Sequence, residues 1–176
     1  METQGFFASP RFVRWLHRGG KRSESSSASL RKAIEREFLY RGVSALAIKE
    51  LTLAADHKGA YVEFYARPLY QHDERLKYKP WAQLFAEQVL EDAARVLRTT
   101  WTHLPSLDII TLKVLRRPLS TPGATDDPIL LVRATGEATK ESVLRWSKTS
   151  AVALLQQCEM RYELDPRLGL RALQEE

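Results

Sequence analysis

The chain has 176 residues and a formal net charge of +5; 44% of its residues are hydrophobic and 28% are charged. This is the size and composition of one soluble globular domain, and every apolar run is shorter than the roughly 18 residues that cross a membrane. The single cysteine, Cys158, excludes an internal disulfide bond and a cysteine-rich zinc site, and it fits a reducing compartment, which predicts an intracellular, cytoplasmic protein.

The excess positive charge lies at the N-terminal end. Residues 1–34 carry seven basic and two acidic side chains, whereas the remaining 142 residues carry 20 of each. This distribution predicts a basic arm tethered to a neutral body, with the arm binding an anionic surface. The arm is also rich in arginine and serine and poor in acids, which is typical of an organellar presequence. A mitochondrial location is therefore the alternative, should residues 1–32 be such a presequence.

A short helix is predicted within the arm. Ser9 and Pro10 are typical of a helix start, and Gly19 is typical of a helix end. On a helical repeat, the basic and the apolar side chains fall on different sides. The candidate contacts of the arm with a partner or an anion are Arg11, Phe12, Arg14, Trp15, Arg18, Lys21 and Arg22. An apolar groove on a protein, a nucleic-acid backbone and an anionic membrane all suit such an arm, and the alternative is docking onto the chain's own body.

The stretch Lys21–Ser29 is polar and serine-rich, and it is predicted to be a linker. The expected domain organisation is therefore an arm and linker at 1–28 and a single α+β domain at 29–176. Ser29 is a suitable cap for a helix from about Leu30 to Tyr40, because its hydroxyl can accept a hydrogen bond from a first-turn amide.

The body behind this helix is predicted to combine strands and helices. In chain order the predicted elements are strands Ala47–Ala55 and Ala60–Arg67, a loop Pro68–Pro80, a helix from Trp81 to about Trp101, strands Leu107–Leu115 and Pro128–Ala134, and a final helix from about Ala138 to Tyr162. Asp56 and Gly59 suit a tight turn between the first two strands. Hairpins separated by helices predict an α+β fold, in which helices pack on one face of a mixed or antiparallel sheet of about four strands, preceded by the basic arm.

The second strand carries the candidate binding residues of the body. Alternation places Tyr61, Glu63, Tyr65 and Arg67 on one face. Tyr61, Tyr65 and Arg67 are the candidates, because tyrosine rings stack on flat ligands and arginine pairs with anions. Three interpretations stay open: a helix covers these side chains, they form a protein interface, or they bind nucleic acid.

No motif for catalysis or for a cofactor stands out. The eight glycines are scattered, so they form no phosphate-binding loop, and the four histidines form no metal-binding pair. The alternative hypothesis is a small metal-dependent hydrolase or nuclease that uses Asp56, Glu63 and Asp108 together with Lys58 or Lys113. Such a site requires the three carboxylates to converge, and we expect them to diverge.

The predicted function is a non-enzymatic binding or adaptor domain with no catalytic residue, no cofactor and no metal. Its basic N-terminal arm engages a macromolecular partner, for which a protein ranks first and nucleic acid second. An anionic membrane surface, reached through the arm, is a further candidate partner. The sequence carries no signal for an oligomeric state.

Overall fold

The computed structural model describes residues 21–40, 45–70, 72–117, 126–147 and 150–174. Its elements in chain order are helix α1 (Lys21–Tyr40), strands β1 (Ala47–Leu53) and β2 (Gly59–Tyr65), a 3-10 helix (Glu74–Lys77), helix α2 (Trp81–His103), strands β3 (Ile109–Arg116) and β4 (Asp127–Thr135), helices α3 (Glu137–Arg145) and α4 (Ala151–Leu155), and strands β5 (Glu159–Arg161), β6 (Leu164–Asp165) and β7 (Gly169–Leu170). The predicted α+β class is confirmed. Within the described ranges, no helix has the length and apolar content that a membrane crossing requires.

Among the described residues, the main sheet has five strands in chain order, β1-β2-β3-β4-β5, one more than predicted, and it is mixed. Strands β1 and β2 form the predicted antiparallel hairpin, whereas β2 and β3 run parallel. Two parallel strands cannot be joined by a tight turn, so the chain must cross over between them. Helix α2 is that crossover. The remaining pairs, β3 with β4 and β4 with β5, are antiparallel.

The core lies between one face of this sheet and helix α2. Val62 and Phe64 of β2 are fully buried, as are Leu112 and Val114 of β3, because alternate residues of each strand point to the helices. Helices α1, α3 and α4 pack against α2. The indole N–H of Trp101, a fully buried side chain near the end of α2, donates a 3.0 Å hydrogen bond to the Leu107 carbonyl.

Helix α1 begins at Lys21, so the predicted start near Leu30 is wrong. Its backbone is helical through the serine-rich stretch predicted to be a linker. Serine is only about 0.5 kcal/mol less favourable in a helix than alanine, and no glycine or proline interrupts residues 21–40. The predicted buried face is confirmed, since Leu30, Ile34 and Phe38 are fully buried.

The predicted final helix is replaced by two short helices and a strand. Helix α3 ends at Arg145, and α4 covers only Ala151–Leu155. Strand β5 then pairs with β4, with Met160 opposite Val132. This pairing satisfies backbone groups at the free edge of β4, which a continued helix would leave open.

A two-stranded hairpin, β6 with β7, anchors the C-terminal segment on α2. The Asp165 carboxylate accepts hydrogen bonds from the amides of Arg167 and Leu168, which fixes the turn. Gly169 lies against the first turn of α2 with a φ of 78°. The hairpin therefore approaches α2 through a residue without a side chain.

The candidate arm contacts Arg11, Phe12, Arg14, Trp15 and Arg18 lie outside the described residues, as do the side chains of Lys21 and Arg22. The domain boundary after residue 28 stays a prediction.

Candidate functional site

The face of the sheet opposite the helices is lined by polar and aromatic side chains. On β2, Tyr61, Glu63 and Tyr65 alternate in direction with the fully buried Val62 and Phe64; the two tyrosines are half-buried, and Glu63 is buried at 7% exposure. The described helices α1, α3 and α4 pack against α2, on the other face of the sheet.

These side chains belong to a hydrogen-bonded group that we name the Lys49 cluster: Lys49, Tyr61, Glu63, Tyr65 and Asp126. The ammonium nitrogen of Lys49 lies 2.7 Å from Asp126 Oδ2 and 3.3 Å from Glu63 Oε1. The Tyr61 hydroxyl donates to Glu63 Oε2 and the Tyr65 hydroxyl donates to Asp126 Oδ2, each at 2.8 Å. One cation and two hydroxyl groups therefore hold two carboxylates in place.

Two strands and the residue that precedes a third bring the cluster together. The register between β1 and β2 shifts between Ile48 and Glu50, so Lys49 is the extra residue of an irregularity in β1. Asp126 immediately precedes β4, which lies beyond β3 from β2. The guanidinium of Arg117, at the end of β3, lies 5.0 Å from the centre of the Tyr65 ring. Tyr65 is thus fixed at its hydroxyl and stacked at its ring.

The electrostatics of the cluster shift the pKa values of Lys49, Asp126 and Tyr65. The hydrogen bond with Asp126 raises the pKa of Lys49 further above its usual value, and the charge of Glu63 adds to the effect. Hydrogen bonds from Lys49 and Tyr65 lower the pKa of Asp126. The hydrogen bond that Tyr65 donates to Asp126 also raises the pKa of Tyr65. At neutral pH Lys49 is charged, Asp126 is ionised and Tyr65 is protonated.

We expect Asp126→Asn to reduce the loss of stability in acid. A carboxyl whose pKa is lower in the folded protein stabilises the fold above its unfolded pKa of about 4, and this stabilisation disappears as the pH falls through the folded value. Thermal melts between about pH 6 and pH 3 measure the effect. Asp127→Asn, which removes the same charge from the next, exposed residue, is the control. Identical pH profiles for both variants would contradict the role assigned to Asp126.

Arg67 does not continue the row of Tyr61 and Tyr65, so the sequence-based placement is wrong. Strand β2 ends at Tyr65, and the alternation that predicted the row ends with it. The Arg67 side chain is buried on the helix side, where it donates two 2.7 Å hydrogen bonds to the carboxylate of Asp92. Its guanidinium also lies over the Phe38 ring. Arg67 is therefore part of the core and leaves the set of binding candidates.

The three carboxylates of the enzymatic alternative do not meet. Asp56 accepts a hydrogen bond from the Lys58 amide in the β1–β2 turn, and Asp108 lies 3.7 Å from the Lys58 ammonium group. Glu63 is four residues beyond Gly59 along β2, which is about 13 Å. Across the described part of the chain, no three His, Cys, Asp or Glu side chains are grouped to hold a metal ion.

Cys158 precedes β5 and does not lie on a helix, contrary to the sequence-based placement. Burial raises the pKa of its thiol to about 11. A thiol in this state has little nucleophilic thiolate at neutral pH.

Sequence analysis selected Tyr61 and Tyr65 but not Lys49, Asp126 or Arg117. Lys49 and Asp126 are 77 residues apart in the chain, and only the order of the strands brings them together. No local pattern marks either residue. Comparison of the chain with protein-family models, with curated proteins and with solved structures finds no match.

Proposed function

We propose that the chain is a non-enzymatic binding domain that engages a protein partner through its basic N-terminal arm and the sheet face around the Lys49 cluster. The single observation that carries this proposal is the ordered Lys49 cluster on a sheet face that the described helices leave free. The arm supplies the positive charge that the body lacks.

Order within the cluster favours binding. Each long side chain that a partner immobilises costs about 0.5–1.5 kcal/mol of conformational entropy. The ion pairs and tyrosine hydrogen bonds meet much of this cost before a partner arrives, because they already fix Lys49, Tyr61 and Tyr65. Tyrosine also provides a large, rigid contact area and is enriched where binding energy concentrates.

The charge balance of the face favours a protein over nucleic acid. Lys49 is shared by Glu63 and Asp126, and Arg133 lies 3.4 Å from Glu159 of β5. Nucleic-acid binding depends on basic groups that neutralise phosphates, and carboxylates at the contact oppose it. A face of paired opposite charges with tyrosines instead matches a protein interface.

The test is chemical crosslinking of the full chain in cells that express it, followed by mass spectrometry. We expect a protein partner joined to Lys113, which lies opposite Glu63 on the sheet face. We expect its recovery to fall at least about tenfold in Tyr61→Ser/Tyr65→Ser, because interface tyrosines carry a large share of binding energy. The control is Leu39→Ser/Leu144→Ser, which changes two exposed residues on helices. Equal recovery with all three proteins would overturn the proposal.

A second measurement separates protein from nucleic acid and membrane as partners. A labelled single-stranded oligonucleotide and phosphatidylserine vesicles are titrated with the full chain at low and physiological salt. We expect weak, strongly salt-dependent binding that is lost when Arg11, Arg14 and Arg18 become glutamine. The matched control changes three exposed basic residues of the body, Arg36, Lys58 and Arg145, to glutamine. Oligonucleotide binding that survives the arm changes and disappears in Tyr61→Ser/Tyr65→Ser would replace the protein partner with nucleic acid.

A further inference from the structure

A threonine hydroxyl is buried without a hydrogen-bond partner on the open face of the sheet, which is the face opposite the helices. Thr111 of β3 alternates with the fully buried Ile110 and Leu112, which point to the helices. Only 7% of Thr111 is exposed, and none of the described residues forms a hydrogen bond with its hydroxyl. A buried hydroxyl in this state destabilises a fold, and a valine of nearly the same shape would avoid the loss. The Thr111 hydroxyl therefore indicates a site that a group from outside completes.

The strand pairing identifies the neighbours of Thr111. Arg133 of β4 lies directly opposite Thr111 in the antiparallel pair, and Glu159 of β5 lies opposite Arg133. Side chains that lie opposite each other in a sheet have Cβ atoms about 4.5–5.5 Å apart. A hydroxyl donor and a guanidinium donor are thus adjacent on the open face. A single carboxylate can accept hydrogen bonds from both of them.

Glu159 holds Arg133 only loosely. Its carboxylate oxygen lies 3.4 Å from the guanidinium nitrogen, whereas a strong charged hydrogen bond has a length of about 2.7–2.9 Å. The Glu159 side chain is 55% exposed, and that of Arg133 is 18% exposed. An exposed carboxylate at this distance can exchange with an incoming one. Glu159 thereby shows which functional group fits beside Arg133.

The charges around this pair favour an acidic ligand. Arg161 lies two residues beyond Glu159 on β5 and therefore on the same face. On β3, the charge of Lys113 is opposed by Glu63, which lies opposite it on β2. The positive charge of Arg133 and Arg161 exceeds the negative charge of Glu159, so this part of the open face attracts a carboxylate.

We propose that Thr111 and Arg133 form a carboxylate-binding site, at which an aspartate or glutamate of the protein partner replaces Glu159 as the acceptor for Arg133. This inference rests on the proposed function and adds the chemistry by which the partner is recognised. The Thr111 hydroxyl and the Arg133 guanidinium each donate a hydrogen bond to the incoming carboxylate. A phosphate is disfavoured, because Glu63 and Glu159 lie close by and repel a doubly charged group more strongly than a singly charged one.

The chain's own acids are the other carboxylates that could occupy the site. Residues 1–20 contain three arginines and one acid, Glu2, so the basic arm does not match a site for carboxylates. Glu175 and Glu176 follow Gln174, whose carbonyl accepts a 3.3 Å hydrogen bond from Arg161. These two acids lie outside the described residues, and the test below includes them.

The test is a titration of the full chain with an acetylated tetraglutamate peptide, followed by amide NMR. The amide signals of residues 111 and 133 report on the site separately from peptide held by the basic arm. We expect both signals to shift with tetraglutamate and to stay unchanged with tetraglutamine. The amide of Thr52, which lies two strands away on the same face, is the internal reference.

Three variants give the proposal opposite signs to satisfy. Thr111→Val is expected to weaken peptide binding about tenfold without lowering the melting temperature, because only the hydrogen bond to the ligand is lost. Glu159→Gln is expected to strengthen binding, because it removes the competing carboxylate. Thr52→Val, the matched control, removes another buried hydroxyl without a described partner and is expected to bind like the unchanged chain.

The outcomes that contradict the proposal are distinct. Signals of residues 111 and 133 that do not respond to tetraglutamate, or weaker binding by Glu159→Gln, would overturn it. Tighter binding of a tetraphosphoserine peptide would replace the carboxylate with a phosphate. A shift of the same signals in Glu175→Gln/Glu176→Gln before peptide is added would assign the site to the chain's own acids.

The crosslinking experiment separates this proposal from the proposed function. We expect recovery of the partner to fall in Thr111→Val as well as in Tyr61→Ser/Tyr65→Ser. Recovery that falls in the tyrosine variant but is unchanged in Thr111→Val would leave the proposed function in place and overturn the carboxylate site.

Discussion

Replacing Arg67 with alanine is expected to destabilise the fold by about 3–5 kcal/mol. The guanidinium and the Asp92 carboxylate form two 2.7 Å hydrogen bonds, with 5% and 2% of the side chains exposed. Removing one partner leaves the other charge buried without compensation, which is the costly case for a buried ion pair. Urea or thermal unfolding of the variant measures the loss.

The cause of this loss is tested by pH and by a double replacement. Burial raises the pKa of Asp92, and Arg67 opposes that rise. Without Arg67, the buried Asp92 carboxylate binds a proton more readily in the folded protein than in the unfolded chain. The loss in the free energy of unfolding should therefore be smaller at about pH 5 than at about pH 8. Arg67→Met/Asp92→Leu should recover most of the stability, because it leaves no buried charge. A deficit that is independent of pH would assign the loss to packing alone.

An exposed pair provides the matched control for the buried one. Arg145 and Glu141 of α3 lie 2.6 Å apart, and 79% and 59% of their side chains are exposed. Arg145→Ala is expected to cost less than about 0.5 kcal/mol, because solvent screens the attraction. A similar cost for both pairs would contradict the role of burial.

Gly169→Ala is expected to destabilise the protein by about 2–4 kcal/mol and to release the β6–β7 hairpin from α2. Two effects combine at this position. The φ of 78° is unfavourable for residues with a side chain. A Cβ atom would also overlap the Ala82 carbonyl oxygen and lie 3.1 Å from Phe85 Cδ1. Thermal unfolding measures the global loss, and amide hydrogen exchange of Leu164 and Leu170 reports release of the hairpin.

Gly136→Ala separates the two effects. Gly136 has a φ of 90°, but nothing lies within 4 Å of the position that a Cβ atom would occupy. This variant therefore carries backbone strain without the overlap, and we expect it to cost about 1–2 kcal/mol, less than Gly169→Ala, because its φ of 90° and ψ of 147° lie in a region nearly confined to glycine. If both substitutions lower the free energy of unfolding by the same amount, the close approach of the hairpin to α2 does not explain why residue 169 is a glycine.

The parts of the fold that could be predicted are those with a strong local period. Apolar residues at helical spacing, among them Leu84, Val89 and Val96, predicted α2 almost to its ends. The start of α1 could not be predicted, because serine favours neither helix nor linker strongly enough to decide. The stretch from Ala151 to Cys158 also has helical spacing and begins as α4, but residues 159–161 pair with the free edge of β4 and do not continue the predicted helix.

The candidate site, too, could be predicted only where a local pattern determines the structure. Alternation along β2 predicted that Tyr61 and Tyr65 share a face, since a strand fixes side-chain direction locally. Arg67 was misplaced because the strand stops two residues earlier, where the chain turns towards α2. Lys49 and Asp126 are joined only by the order of four strands, which no short window of sequence contains.

The irregularity at Lys49 also affects how the sheet behaves at its edge. Strand β1 is an outer strand, and outer strands expose backbone groups on which another chain can form a further strand. Here the extra residue interrupts the edge, and Lys49 and Glu50 are exposed on it. The Arg31 guanidinium donates a 3.0 Å hydrogen bond to the carbonyl of Ile48. At the opposite edge, β5 has only three residues. Both borders of the sheet are thus poor templates for edge-to-edge aggregation, the hazard that any open sheet carries.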